Sequence, residues 1–172
     1  MIPNSESPKD SAFRYQLDFL KLEYQSLNET IARIDGTTQT IKNWTLLIWA
    51  GSISFSLTRE QDLRDYVIFT AIIPLVFWSL DAWWRRVQRQ CIFRIELISD
   101  FLNSENLFTS FSEKKLINFH LIDHRARKHA NKKELIAFSS VWKTVWFGSV
   151  AAFYLGLSIM SIGLGVFFLL VQ

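Results

Sequence analysis

From Thr144 to Gln172 the chain runs for twenty-nine residues without a charged side chain, TVWFGSVAAFYLGLSIMSIGLGVFFLLVQ. An α-helix rises about 1.5 Å per residue and the hydrocarbon core of a bilayer is about 30 Å thick, so roughly twenty such residues suffice to cross it. A soluble domain of 172 residues rarely has enough core to surround a helix that is apolar on every side for so long. The segment predicts a transmembrane helix.

Two shorter apolar runs precede it. Asn43 to Thr58 gives sixteen uncharged residues between Lys42 and Arg59, a length that spans only if Lys42 snorkels to the headgroups. Tyr66 to Trp84 is nineteen residues long with Asp81 as its one charge, and Pro74 predicts a kink in mid-span. With the polar connection REQDLRD between them, the two runs predict a helical hairpin. The expected organisation is a cytoplasmic helix 1–42, spans 43–58 and 66–84 around an external loop 59–65, a basic cytoplasmic region 85–143, and a third span 144–172.

Orientation follows from Lys and Arg. The segment Arg59 to Asp65 holds two basic and three acidic residues, whereas Arg85 to Lys143 holds twelve basic and six acidic. The positive-inside rule then puts 85–143 and the N-terminus in the cytoplasm and the C-terminus outside. Trp44, Trp83, Trp84, Trp142 and Trp146 adjoin the charges at the inner ends of the spans, as rings at a headgroup boundary do, while Trp49 and Trp78 are expected to pack between helices. The start, MIPNSESPKDS, lacks the basic and apolar pattern of a cleaved signal peptide, so the first span is expected to direct insertion.

Outside the spans, Phe13, Leu17, Leu20, Tyr24, Leu27, Ile31 and Ile34 recur at alternating intervals of four and three, a heptad seam with Asp18, Lys21, Glu23 and Glu29 off it. The helix is expected to begin after Pro8 with Asp10 or Ser11 as its cap, and the seam to extend through Thr38 and Ile41 past a weak point at Gly36. A coiled coil between subunits and a helix packed on its own chain fit this pattern equally. The second span continues inward with Trp84, Val87, Cys91, Ile95, Ile98 and Leu102 on one face, Arg85, Arg86, Arg89 and Arg94 mostly elsewhere, and Asn103 and Ser104 as its end. That supplies an antiparallel partner within the chain, a helical stalk. LINFHLID (116–123) reads as a short helix or a lone extended segment, and a further helix is expected from Lys132 into the third span.

Candidate chemistry is sparse. His120 and His124 stand four apart with Asp123 between them, a spacing that chelates a metal from one helical face, but Leu121 occupies the place a metalloprotease glutamate needs and no second cluster completes a site. Arg125, Arg127, Lys128, His129, Lys132 and Lys133 form a juxtamembrane basic stretch that, with Arg85 and Arg86, suits anionic lipid; nucleic acid is the alternative ligand, without a binding motif to support it. Asp81 stands four residues before Arg85, so an i,i+4 ion pair is expected, with a proton-relay or gating role as the sharper reading. Gly148, Ala152, Gly156 and Gly163 form a small-residue face on the third span, of the kind through which membrane helices associate. One cysteine excludes an internal disulfide, and no nucleotide loop, nucleophile elbow or paired catalytic carboxylates is present, so neither enzyme activity nor a cofactor is expected.

The segments LKLEYQSLNETIARIDGTTQTIKNWTLLIWAG (20–51) and LVFWSLDAWWRRVQRQCIFRIELISDFL (75–102) resemble a pattern in small bacterial inner-membrane proteins. In it an N-terminal helix leads into a hairpin whose second span ends in an acidic residue, aromatics and bases and then an Arg-Ile-Glu helix, matched here by Asp81, Trp83, Trp84, Arg94, Ile95 and Glu96. The likeness covers about the first hundred residues. Some similar proteins are membrane effectors of anti-phage systems, which is the role the resemblance implies.

The expectation is an all-α inner-membrane protein with three transmembrane helices and a helical cytoplasmic stalk. Its expected partners are the lipid bilayer, further copies of itself and a cytoplasmic protein. As an effector it oligomerises and permeabilises the membrane; the alternatives are an anchor that recruits a soluble partner and a small channel or transporter.

Overall fold

A computed structural model describes residues 7–58, 65–126, 131–146 and 148–170, and among these residues the chain is helical without strands. Its elements are α1 (Pro8–Leu57), a 3-10 helix (Asp65–Ala71), α2 (Ile72–Leu102), α3 (Glu105–Glu113), α4 (Lys132–Phe138), α5 (Val141–Val145) and α6 (Gly148–Leu170). They form two compact units, residues 1–33 with 87–139 and residues 34–86 with 140–172, so α1 and α2 each contribute to both.

In the first unit the seam is the core. Phe13, Leu20 and Leu27 from α1 form one buried cluster with Cys91, Ile98 and Phe101 from α2 and Leu116, and Leu17, Ile31 and Ile95 pack against it. The apolar stripe is therefore satisfied within the chain, the second of the two arrangements the heptad pattern allows. Tyr24 and Leu102 depart from the expected faces and are 45% exposed each. Helix α1 starts at Pro8, where a missing N–H costs nothing, and Asp10 lies inside the first turn with its N–H on the Ser7 carbonyl at 2.8 Å, not at the cap. A smaller cluster joins Phe93, Ala126 and Leu135.

The second unit is built differently. Thr38, Ile41 and Thr45 carry the seam onward as buried residues, and α1 passes through Gly36 without a break. Hydroxyls along this part of α1 bond back to their own helix: Thr45 to the Ile41 carbonyl at 2.7 Å, Ser52 to Ile48 at 2.7 Å and Ser56 to Ser52 at 2.9 Å. Pro74 stands near the start of α2 and not at its middle. The chain is a 3-10 helix up to Ala71, so the proline falls in the first turn of α2, where it has little to disrupt, and Ser158 donates to the Ala71 carbonyl at 3.1 Å beside the junction.

The helix expected to run from Lys132 into the third span is broken instead. Asn131 caps α4 by accepting from the Lys133 N–H, and Ser139 ends it by turning its hydroxyl onto the Leu135 carbonyl at 2.7 Å. Serine hydroxyls compete with the helical ladder in this way, so Ser139 and Ser140 separate α4 from α5.

Among the described residues two stretches, Val67–Leu102 and Lys132–Leu170, are long and apolar enough to cross a membrane, and the run Asn43–Thr58 is not one of them. Only 33% and 28% of their most apolar windows are buried inside the fold, whereas the core helix of a soluble protein would be mostly covered.

Candidate functional site

The second unit places polar groups inside. Asp81 on α2 has 0% exposure; one carboxylate oxygen accepts from the Tyr154 hydroxyl of α6 at 3.1 Å, and the other lies 3.8 Å from Arg85 Nε. Arg85 in turn reaches Asp35 on α1 at 2.9 Å. The expected Asp81–Arg85 pair is thus one edge of a larger group, and Tyr154, fully buried, is the partner that sequence spacing did not identify.

A second polar knot lies on Ser161, which is fully buried on α6. Its hydroxyl oxygen accepts from Trp49 Nε1 at 2.7 Å and from the Thr70 hydroxyl at 3.0 Å. Trp78 donates its indole N–H to the Val145 carbonyl at 3.1 Å and meets Trp146 edge-on at 5.9 Å. Trp49 and Trp78 therefore pack between helices as expected, while Trp44, Trp83, Trp142 and Trp146 expose more than half of their surfaces.

The glycines of α6 divide between two faces. A Cβ on Gly165 would meet Ile68 Cβ at 2.8 Å and its backbone N at 3.0 Å, so the 3-10 helix approaches α6 at a point only glycine allows. Around Gly148, Gly156 and Gly163 a Cβ would meet nothing within 4 Å, and Ala152 is exposed beside them. At 3.6 residues per turn these four fall on the side opposite Tyr154, Ser158, Ser161 and Gly165.

In the first unit the arrangement centres on Glu23, which the heptad reading left on the surface and the structure buries. Arg94 of α2 grips its carboxylate through Nε at 3.0 Å and a terminal nitrogen at 3.2 Å, and the backbone N–H groups of Ile122 and Asp123 each donate to it at 3.0 Å. The same Arg94 nitrogen donates to the His120 carbonyl at 2.6 Å, and the guanidinium lies 4.7 Å from the Phe119 ring centroid. Burial alone would raise the Glu23 pKa; the hydrogen bond and charge of Arg94 and the two backbone donors outweigh it and hold the group below the ordinary 4.5. Burial pushes the Cys91 thiol up.

LINFHLID is neither helix nor strand, so His120 and His124 do not share a helical face; both are exposed, Asp123 is buried, and His124 Nδ1 stands 3.9 Å from the Glu23 carboxylate. Among the described residues no group of three or more His, Cys, Asp or Glu side chains is placed to hold a metal. Of the basic residues, Arg125, Lys132 and Lys133 are exposed and Arg85 and Arg86 half-buried, while Arg127, Lys128 and His129 lie outside the described residues.

No family model, no curated protein and no solved structure matches this chain.

Proposed function

We propose that the second unit resides in a bacterial inner membrane, crossing it three times with the N-terminus inside and the C-terminus outside, and that the protein is a non-enzymatic effector whose assembled copies perturb that membrane. The observation that carries this reading is the apolar outer surface of the second unit, which encloses buried polar groups. Buried Asp81, Thr45, Thr70 and Ser161 sit inside a surface of Leu47, Phe55, Phe69, Val76, Ile159 and Leu170. Water would penalise that surface heavily; lipid does not. Self-association is supported by the outer face of α6, because backbones approach closely where Gly148, Ala152, Gly156 and Gly163 leave open space. A role in anti-phage defence rests on the resemblance of residues 20–102.

The test is membrane potential, read with a potential-sensitive dye after induction of the wild type and of a Gly148→Leu, Gly156→Leu double variant. Both glycines are free of neighbours, so the variant is expected to fold and accumulate normally. Depolarisation by the wild type alone is the expected result; equal depolarisation by both removes the assembly face from the mechanism. No depolarisation by either, with both present in the membrane, leaves the anchor reading, which exposed Phe108 and Phe111 on α3 favour as a site for a cytoplasmic partner.

A further inference from the structure

Residues 114–126 form no regular element, and four of them take positive φ although none is glycine: Lys114 (56°), Asn118 (54°), Ile122 (63°) and Ala126 (50°). For a branched residue such as Ile122 this is a costly conformation, and its side chain is 64% exposed, so burial does not offset the cost. What the conformation achieves is in the backbone. With Ile122 in the left-handed region, two successive N–H groups turn to one side and form a small anion-binding concavity, filled here by the Glu23 carboxylate.

Leu116 joins the seam cluster and Ala126 the smaller one, Phe119 and Leu121 pack on the seam between them, and the start is tied by the Leu116 N–H to Gln16 at 3.2 Å and the Ile117 N–H to Ser110 at 3.0 Å. The Glu23 carboxylate of α1 and the Arg94 guanidinium of α2 hold the backbone of its middle. A strained segment without a helical hydrogen-bond ladder opens at lower free energy than the helices beneath it, whose seam of Leu20, Leu27 and Ile98 does not depend on the Glu23 contacts.

We propose that residues 114–126 are a releasable strap, that the Glu23 carboxylate is its latch, and that detachment of the strap from α1 and α2 is a conformational switch built into the first unit. The proposal does not depend on the effector reading; an anchor protein could carry the same switch. Opening withdraws Phe119 from Phe101, which it faces at 4.6 Å, and uncovers that part of the apolar seam.

Hydrogen exchange followed by mass spectrometry on the full chain in lipid nanodiscs tests this. Glu23→Gln is expected to speed exchange in peptides covering 116–126 by at least about tenfold while peptides covering 20–31 and 91–101 keep their protection. Ile122→Gly has the opposite sign, because it removes the backbone strain of the closed state, and is expected to slow strap exchange about fivefold. Unchanged strap exchange in Glu23→Gln, equal acceleration in α1 and α2, or faster strap exchange in Ile122→Gly each overturns the proposal. If Glu23→Gln does not accumulate, the Ile122→Gly arm decides alone.

Discussion

The two units solve opposite packing problems with the same two long helices. In residues 1–33 and 87–139 apolar side chains are inside, Leu27 and Ile98 each 1% exposed, and the charges of α1 other than Glu23 face outward. In residues 34–86 and 140–172 several hydroxyls and one carboxylate are buried among apolar groups such as Ile34, Val67 and Val150, and large apolar side chains also cover the outside. The difference teaches where specificity comes from in each. Burial of apolar area drives the packing of the first unit; on the membrane placement proposed above, lipid offers no such drive to the second, which close packing and interhelical hydrogen bonds would hold.

The comparison is most easily broken at the buried Glu23–Arg94 ion pair of the first unit. Arg94→Ala leaves Glu23 buried without its guanidinium and should cost about 3–5 kcal/mol, read as loss of thermal stability of the full chain in detergent. A Glu23→Leu, Arg94→Met double variant should recover only part of this, because Ile122 and Asp123 then lose the acceptor of their N–H groups. A cost for Arg94→Ala below about 1 kcal/mol would show that water reaches the pair.

In the second unit the corresponding lesion is steric. Gly165→Leu forces atoms into the space held by Ile68 and should cost about 1–3 kcal/mol, whereas Gly163→Leu, two residues away on the open side, should stay within about 0.5 kcal/mol. Equal losses in the two variants would mean that α6 is rotated from the face described.

Much of the first unit was legible in advance, and so were the packing roles of Trp49 and Trp78. Glu23 was not, although a signal was present. It lies three residues after Leu20 and four before Leu27, so it shares the seam face as well as Tyr24 does, and Arg94 stands in the same relation to Cys91 and Ile98. Opposite charges at equivalent seam positions of two antiparallel helices are a readable pair. The strap had no such signal, because lysine, isoleucine and alanine in the left-handed region leave no mark in sequence. Gly163 and Gly165 each lie between two aliphatic residues, and the neighbouring 3-10 helix is what distinguishes them.

Acid should separate the units more gently. The folded-state pKa of Glu23 lies below its ordinary 4.5, so its ionised form stabilises the fold above that value, and the contribution is lost as pH falls through the lower, folded value. The groups that face its carboxylate are Arg94 at 3.0 Å and His124 at 3.9 Å. Strap exchange, corrected for the intrinsic pH dependence of amide chemistry, should therefore accelerate on acidification below about pH 4.5, and Glu23→Gln should abolish that acceleration.

The smallest effect bears most directly on what holds the second unit together. Ser161 accepts from both Trp49 and Thr70, so Ser161→Ala orphans Trp49 Nε1 and takes one acceptor from the Thr70 hydroxyl. In water an orphaned buried donor would cost about 1–3 kcal/mol. In lipid the separated helices find other partners, and interhelical bonds average only about 0.6 kcal/mol. The Thr70 hydroxyl also has the Val67 carbonyl at 2.7 Å as a second acceptor, which limits the loss further. A Trp49→Phe, Ser161→Ala double-mutant cycle, read as thermal stability in detergent, should thus return a coupling of about 0.6 kcal/mol. A coupling above about 2 kcal/mol would place this knot in an environment that gives the unfolded chain no alternative partners, and the contrast between the two units would then rest on hydrogen bonding more than on close packing.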